Sequence, residues 1–301
     1  MAGPSKSSSS MVCSDDPPPL SITLKKTRDL PKKMKQWSRD HLPVDILLLT
    51  VEDCELLACY HYLCDPFKSY ERSIGYVYFG KIGEEDGPLK VALLRCSKES
   101  ADPGGSQTAA KNAVTLLNPK ATFLVGFCYS LNADKAQLGD VVLSSMLATY
   151  FNKTPVSRDV GKLIRSAADG WEAPLENPEA RKVNVHRDGE ILSCCDLNGA
   201  KQQCHLHPGA IAVEMEGKGF FAAAHDLKIE WLVVKGVCGF VHGAATSNDS
   251  WKTFASVMAA SVVSNMLSNS FVFRDWPHYG LRGTCTFLSQ LWLCLPRDLI
   301  V

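Results

Sequence analysis

The sequence has no excess charge of either sign: 32 lysines and arginines balance 32 aspartates and glutamates over 301 residues. No electrostatic field therefore steers the chain toward nucleic acid or an anionic membrane, and a small neutral ligand suits it as well as any partner. No Cys-x-x-Cys pair occurs among its 12 cysteines, and no secretory leader precedes them, so a disulfide framework is not expected. The reading is a reducing, cytoplasmic chain with free thiols. Cys194 and Cys195, with Cys204, His205 and His207, lack the paired ligand doublets of a structural zinc site, so neither metal nor cofactor is expected. A Walker phosphate loop is absent. The final apolar run, TFLSQLWLCLPRDLIV, is too short to cross a bilayer. What the chain does hold is 46% apolar residues, enough to bury a sizeable core at this length.

Three regions differ in character. Residues 1–40 are a Ser/Pro-rich and then basic segment without hydrophobic periodicity, expected to be disordered. Their basic run, KKTRDLPKKMKQWSR at 25–39, is either a nucleic-acid patch or a solvated approach to the first strand, and Pro31 with few aromatics favours the second. Residues 44–270 form the folded domain. Residues 271–301 form a C-terminal tail with proline, glycines and the short apolar run.

Within the domain, VDILLLTV at 44–51 is a continuous apolar run of strand length, expected to be covered on both faces. A helix follows, with Glu52, Asp53 and Glu55 in its first turn, where free amides favour carboxylates, and Leu56, Leu57, Tyr60 and Leu63 as its buried stripe. GYVYFGKI and LKVALLRC, split by EEDG, read as a hairpin. ADPGG opens a helix over 106–117 and serves packing better than anion binding. Ser157 is the expected cap of a short helix after it. A long last helix runs from Asn248 or Asp249 to about Ser268, with Trp251, Phe254, Met258 and Val262 on its core stripe.

The organising stretch is GAIAVEMEGKGFFAAAHDLKIEWLVVKGVCGFVHG, residues 209–243. It reads as strand, small-residue helix and strand, so that Glu214 and Glu216 after one strand and residues 238–242 after the other face a common pocket.

AVEMEG at 212–217, VVKGVC at 233–238 and LGDVV at 138–142, in that family's order, resemble the nucleoside phosphorylase and methylthioadenosine/adenosylhomocysteine nucleosidase superfamily. The resemblance implies an α/β fold, a central mixed β-sheet flanked by helices in three layers, and a homo-oligomer. It implies cleavage of the N-glycosidic bond of a purine nucleoside, by hydrolysis or phosphorolysis. Glu216 would hold the ribose hydroxyls, Met215 would pack on the sugar, Val213 would border the base, and Glu214 would order the nucleophile's surroundings. Glu55 matches the water-activating acid of the nucleosidases. Gly126 sits in the turn that wraps the ribose, followed here by the bulky Phe127 and Cys128 with Leu124 before it. These supply no charge-assisted donors for a dianion, which argues against phosphate as co-substrate. The purine-protonating aspartate of the family falls at Gly239, leaving His242 as the candidate acid. That loss also leaves open a catalytically impaired nucleoside-binding relative or scaffold.

Overall fold

The computed structural model describes residues 16–84, 87–98, 100–242 and 248–280. Its centre is one mixed sheet. The first strand, β1 (Ile46–Thr50), is buried along its whole length, as its unbroken apolar run requires. Helix α1 (Asp53–His61) follows, then β2 (Cys64–Glu71), β3 (Gly75–Ile82) and β4 (Leu89–Arg95). The last two form the expected antiparallel hairpin, Val77 opposite Leu94, while two residues of its turn lie outside the described ones. The strand β2, whose CDPFKSYE sequence shows no clean alternation, pairs with β3 and extends the sheet. Helix α2 (Ser106–Leu117) starts where the glycine loop predicts.

Next come β5 (Ala121–Ser130), β6 (Val141–Ala148) and β7 (Lys153–Pro155), then α3 (Arg158–Leu163), β8 (Val185–Ser193), α4 (Leu197–Gln203) and β9 (Ala212–Glu214). Helix α5 (Gly217–Asp226), β10 (Glu230–Phe240) and α6 (Asp249–Ser268) complete the order. The amides of α3 are capped from elsewhere in the chain: Glu230 Oε2 accepts from Asp159 N at 3.1 Å and Val160 N at 3.0 Å. The expected cap, Ser157, instead accepts from Trp231 N at 2.9 Å. Asn248 caps α6, its Oδ1 accepting from Trp251 N at 2.8 Å.

The strands β9 and β10 are not sheet neighbours, as a simple strand-helix-strand reading would have them; β5 lies between them. β10 also pairs with β6, β6 with β8 and β8 with β9, so five strands close a ring on β5. From the first half of β5 the sheet continues through β1, β4, β3 and β2. Helices α1 and α6 pack together on the sheet, and α2 and α5 form a second pair. Gly236 of β10 faces α6 so closely that an added Cβ would overlap the Ala255 carbonyl. Backbone-to-helix contact at that point tolerates no side chain.

Both ends of the domain reach further than the sequence suggests. Residues 16–41 are not loose: Leu20 bridges to Leu175 and Met34 to Lys68, Leu30 is buried, and Trp37 stands 5.8 Å from Phe79. Isolated apolar residues dock such a strap without any periodicity. Its basic run is partly engaged as well, with Lys35 Nζ 4.3 Å from the Phe67 ring centre. Beyond α6, Phe273 is fully buried and Tyr279 N donates to Pro119 O at 2.8 Å, so the packed unit extends to the end of the described residues. Residues 1–15 and the apolar run at 286–301 lie outside them.

Candidate active site

β1 ends beside the middle of β5, Leu49 opposite Leu124. β9 runs antiparallel to β5, from Ala212 opposite Ser130 toward the same point, and β8 runs parallel to β9. The loops leaving β1, β9 and β8 therefore meet over the middle of β5. They enclose a cleft of about 450 Å³, within the size range of small-molecule sites. Val51, Glu52 and Glu55 line it from after β1, Phe127 and Tyr129 from β5, and Met215 with Glu216 from after β9. Cys195, Asp196 and the first residues of α4, Leu197 and Asn198, also line it, with Lys98.

Glu55 has the structural one of the two roles its position allows. Its Oε2 accepts from Val51 N at 2.6 Å and Glu52 N at 2.9 Å, fastening the start of α1, while Oε1 accepts from Phe127 N at 3.0 Å. A carboxylate offers about four lone-pair directions. Three are used by backbone amides, which leaves one on Oε1 for a ligand or a water. Gly126 is what lets the carboxylate sit there: a Cβ on that residue would overlap the Glu55 carboxylate.

Lys235, in the middle of β10, is fully buried. Its Nζ lies 3.7 Å from Glu55 Oε1 and 3.6 Å from Glu216 Oε2, with no hydrogen-bond acceptor in reach among the described residues. Burial alone would lower its pKa, but the carboxylates of Glu55, Glu216 and Glu214 outweigh that and raise it, so the ammonium stays charged. An unpaired ammonium costs several kcal/mol to bury, on the order of what this pairing must offset. Glu55 and Glu216, which line the cleft, thus flank one buried ammonium that does not.

Burial pushes the Glu216 carboxyl up to about 7, against the opposing pull of Lys235 and with the help of Glu214 and Glu55. If Glu216 accepts from ribose hydroxyls as the resemblance implies, that carboxylate is then only half ionised near neutrality. We expect kcat/KM for a ribose-bearing substrate to fall tenfold per pH unit below about pH 7, and Glu216→Gln to flatten that limb; a pH–rate profile from 5 to 9 measures both.

The other acid of the triplet has a different place. Glu214 is buried and caps α5, accepting from Glu216 N at 3.0 Å and Gly217 N at 2.8 Å. Ser106 Oγ donates to Glu216 O at 2.6 Å and Ser100 Oγ to Met215 O at 3.0 Å, so the glycine loop and the start of α2 brace the Met215–Glu216 turn from behind. Of the residues named from the sequence, Glu55, Phe127, Met215 and Glu216 line the cleft. Gly126 supports Glu55 from below, and Cys128 and Val213 are buried in the sheet. Gly239 lies in β10 opposite Tyr129, after a register shift at Cys238. His242 is exposed, its Nε2 3.8 Å from Cys204 Sγ, and it is not among the residues that line the cleft. Lys235, which pairs with Glu55 and Glu216, and the lining residues Val51, Glu52, Lys98, Tyr129 and 195–198 were not among the site residues named from the sequence. Among the described residues, no group of three or more His, Cys, Asp or Glu side chains is placed to hold a metal ion, and no helix is long and apolar enough to cross a membrane.

Residues 55–266 match the phosphorylase superfamily; the chain belongs to that superfamily. It is 24% identical over 223 residues to a death domain-containing ATP nucleosidase of Amphimedon queenslandica, a match covering 64% of this chain and 42% of that protein. It is 29% identical over 136 residues to the ATP nucleosidase Cap17 of Escherichia coli, covering 42% of this chain and 25% of that protein. The chain thus spans less than half the length of these relatives. Its fold is that of the S-adenosylhomocysteine nucleosidase of Streptococcus pyogenes, solved with 5-methylthiotubericidin. The TM-score is 0.61 at 16% identity, covering 75% of this chain and 97% of that one. The futalosine hydrolase of Helicobacter pylori is similar at a TM-score of 0.58 and 14% identity, covering 74% and 97%.

Proposed function

We propose that the chain hydrolyses the N-glycosidic bond of a purine nucleoside or nucleotide, an ATP-like substrate included, as a cytoplasmic homo-oligomer. The observation that carries this reading is the buried Glu55–Lys235–Glu216 cluster opening into the cleft. Glu216 accepts from the ribose hydroxyls and offsets positive charge at the anomeric carbon, an interaction strengthened where water is excluded. Met215 packs on the sugar. The free lone pair of Glu55 orients a water, whose oxygen bonds to the anomeric carbon while its proton passes to the carboxylate. The bond from that carbon to the base breaks, its electron pair leaving with the base, which takes a proton from solvent. Lys235 holds the two carboxylates together against their repulsion.

Water is favoured over phosphate because, among the described residues, the cleft lining contains one cation, Lys98, whose Nζ is already 3.0 Å from Glu52 Oε1, and the ammonium of Lys235 is held behind it by Glu55 and Glu216. A phosphate dianion needs several charge-assisted donors to leave water, and Leu124, Phe127 and Cys128 supply none. The names of the relatives support a nucleotide, and the nine described cysteines, all free, support a reducing compartment. The test is base release from adenosine, inosine, methylthioadenosine, uridine and ATP with and without phosphate. The expected result is a purine-specific rate unchanged by phosphate, with free sugar and no sugar 1-phosphate formed. A rate that requires phosphate would replace hydrolysis by phosphorolysis.

A further inference from the structure

Glu216 works through the direction of its side chain as well as its charge, and the two flanking peptides set that direction. Each is tied at both ends. The Glu216 and Gly217 amides donate to the Glu214 carboxylate at 3.0 and 2.8 Å. The carbonyls turn the other way, toward a segment 110 residues earlier in the chain. Ser106 Oγ donates to Glu216 O at 2.6 Å, and Ser100 Oγ lies 3.0 Å from Met215 O and 3.1 Å from Glu216 O. Phe220 N, donating to Glu216 O at 3.1 Å, completes the set. Neither serine is among the residues that line the cleft.

We propose that Ser106 and Ser100 are positioning residues, whose hydroxyls fix the peptides on either side of Glu216 and thereby aim its carboxylate at Lys235 and into the cleft. The purpose of that aim rests on the nucleosidase reading above. Ser106 is fully buried, so its hydroxyl must spend its proton inside the protein, and the Glu216 carbonyl takes it. The carboxylate lies 3.6 Å from Lys235 Nζ. From there a drift of about 1 Å changes both the ion pair and the geometry offered to a substrate. The same contact accounts for a glycine. A Cβ on Gly219 would lie 2.7 Å from Ser100 Cβ and 3.0 Å from Ser106 Oγ, so a residue without a side chain is what lets α5 seat against the two serines.

The test reads the Glu216 carboxyl directly, by carbon-13 NMR of the full chain labelled at its glutamate side chains, with Glu216→Gln to assign the signal. Titration midpoints are compared for the natural sequence, Ser106→Ala, Ser106→Thr, Ser100→Ala and Gly219→Ala, beside base release from adenosine and ATP. Burial lifts Glu216 to about 7 while Lys235 draws it down. A carboxylate that drifts from the ammonium loses that pull, so the midpoint should rise in Ser106→Ala and rise less in Ser100→Ala. Ser106→Thr keeps the hydroxyl and should keep the midpoint. Gly219→Ala favours the helix by propensity, yet should raise the midpoint by pressing the serines aside. For base release, Ser106→Ala should lower kcat/KM by about 10–10²-fold. Half-buried Ser100 decides the matter if Ser106→Ala does not fold. A midpoint unmoved in the alanine variants, even with stability lost, or one moved equally in Ser106→Thr, would overturn the proposal. Failure of the nucleosidase reading is a separate result: midpoints that move as expected, with no base released from either substrate.

Discussion

Glu55→Gln is expected to lower kcat/KM for base release by about 10²–10⁴-fold, the usual loss when a positioned general base is removed. The carboxamide has nearly the shape of the carboxylate, so the cleft keeps its form. Its nitrogen, however, cannot accept, and one of the amides of Val51, Glu52 or Phe127 loses its partner. A buried unpaired donor costs about 1–3 kcal/mol. Two measurements therefore separate the roles of this residue. Single-turnover rates report the base, and urea denaturation reports the fastening of α1. A drop in stability of that size with no change in rate would leave Glu55 as a structural acid alone.

Lys235→Met is expected to destabilise the fold by about 3–5 kcal/mol, the range found when one partner of a buried ion pair is removed. Methionine fills similar volume, so the effect comes from charge: Glu55 and Glu216 would face one another with nothing between them. The pH dependence gives the cause. Glu216 has an ordinary value of 4.5 in the unfolded chain and about 7 in the folded one. Between those limits the folded state binds the extra proton, so stability falls as pH rises through this window and the cost is complete above it. Without Lys235 the Glu216 value rises further, and protonation relieves the repulsion. The variant should accordingly lose most at pH 8 and least near pH 5. Denaturant midpoints at the two values check this, and a pH-independent loss would point to packing instead. Double replacement with Glu216→Gln should recover part of the loss.

Much of the architecture is written in local pattern. The unbroken apolar run of β1, the glycine loop before α2 and the stripe of α6 each follow from periodicity and caps, because each depends on near neighbours in sequence. The ring of strands closing on β5 does not, since pairing of β10 with both β5 and β6 is a long-range fact with no local mark. β2 escaped for another reason: its alternation is broken by Asp65 and Pro66. The strap at residues 16–41 is invisible to periodicity because single apolar residues, not a face, hold it down.

The site divides the same way. Glu216 stands out because AVEMEG is a specific string, and Glu55 because it matches a family position, although an acid in the first turn of α1 is ordinary by itself; Glu214 was read alongside them although its carboxylate is spent on the amides of α5. Lys235 had a signal that could have been used. In WLVVKGVC one lysine interrupts a buried strand, and a charge in such a place requires a partner of opposite sign. Asp196 and Asn198 had only a weak one, an N-cap before a short polar helix, and nothing local says that this helix borders the cleft. His242 shows the limit of alignment by spacing: three residues past Gly239 it has left the strand and stands on the surface beside Cys204.

The central claim is that a glycosidic bond is cut in the cleft where Glu216 meets Lys235. Single-turnover base release from adenosine and ATP, by the natural sequence beside Glu216→Ala, tests it most directly. The account predicts release by the natural sequence and a loss to background in Glu216→Ala. No release by the natural sequence, with release appearing in Gly239→Asp, would contradict it and leave a binding pocket from which the acid has been lost.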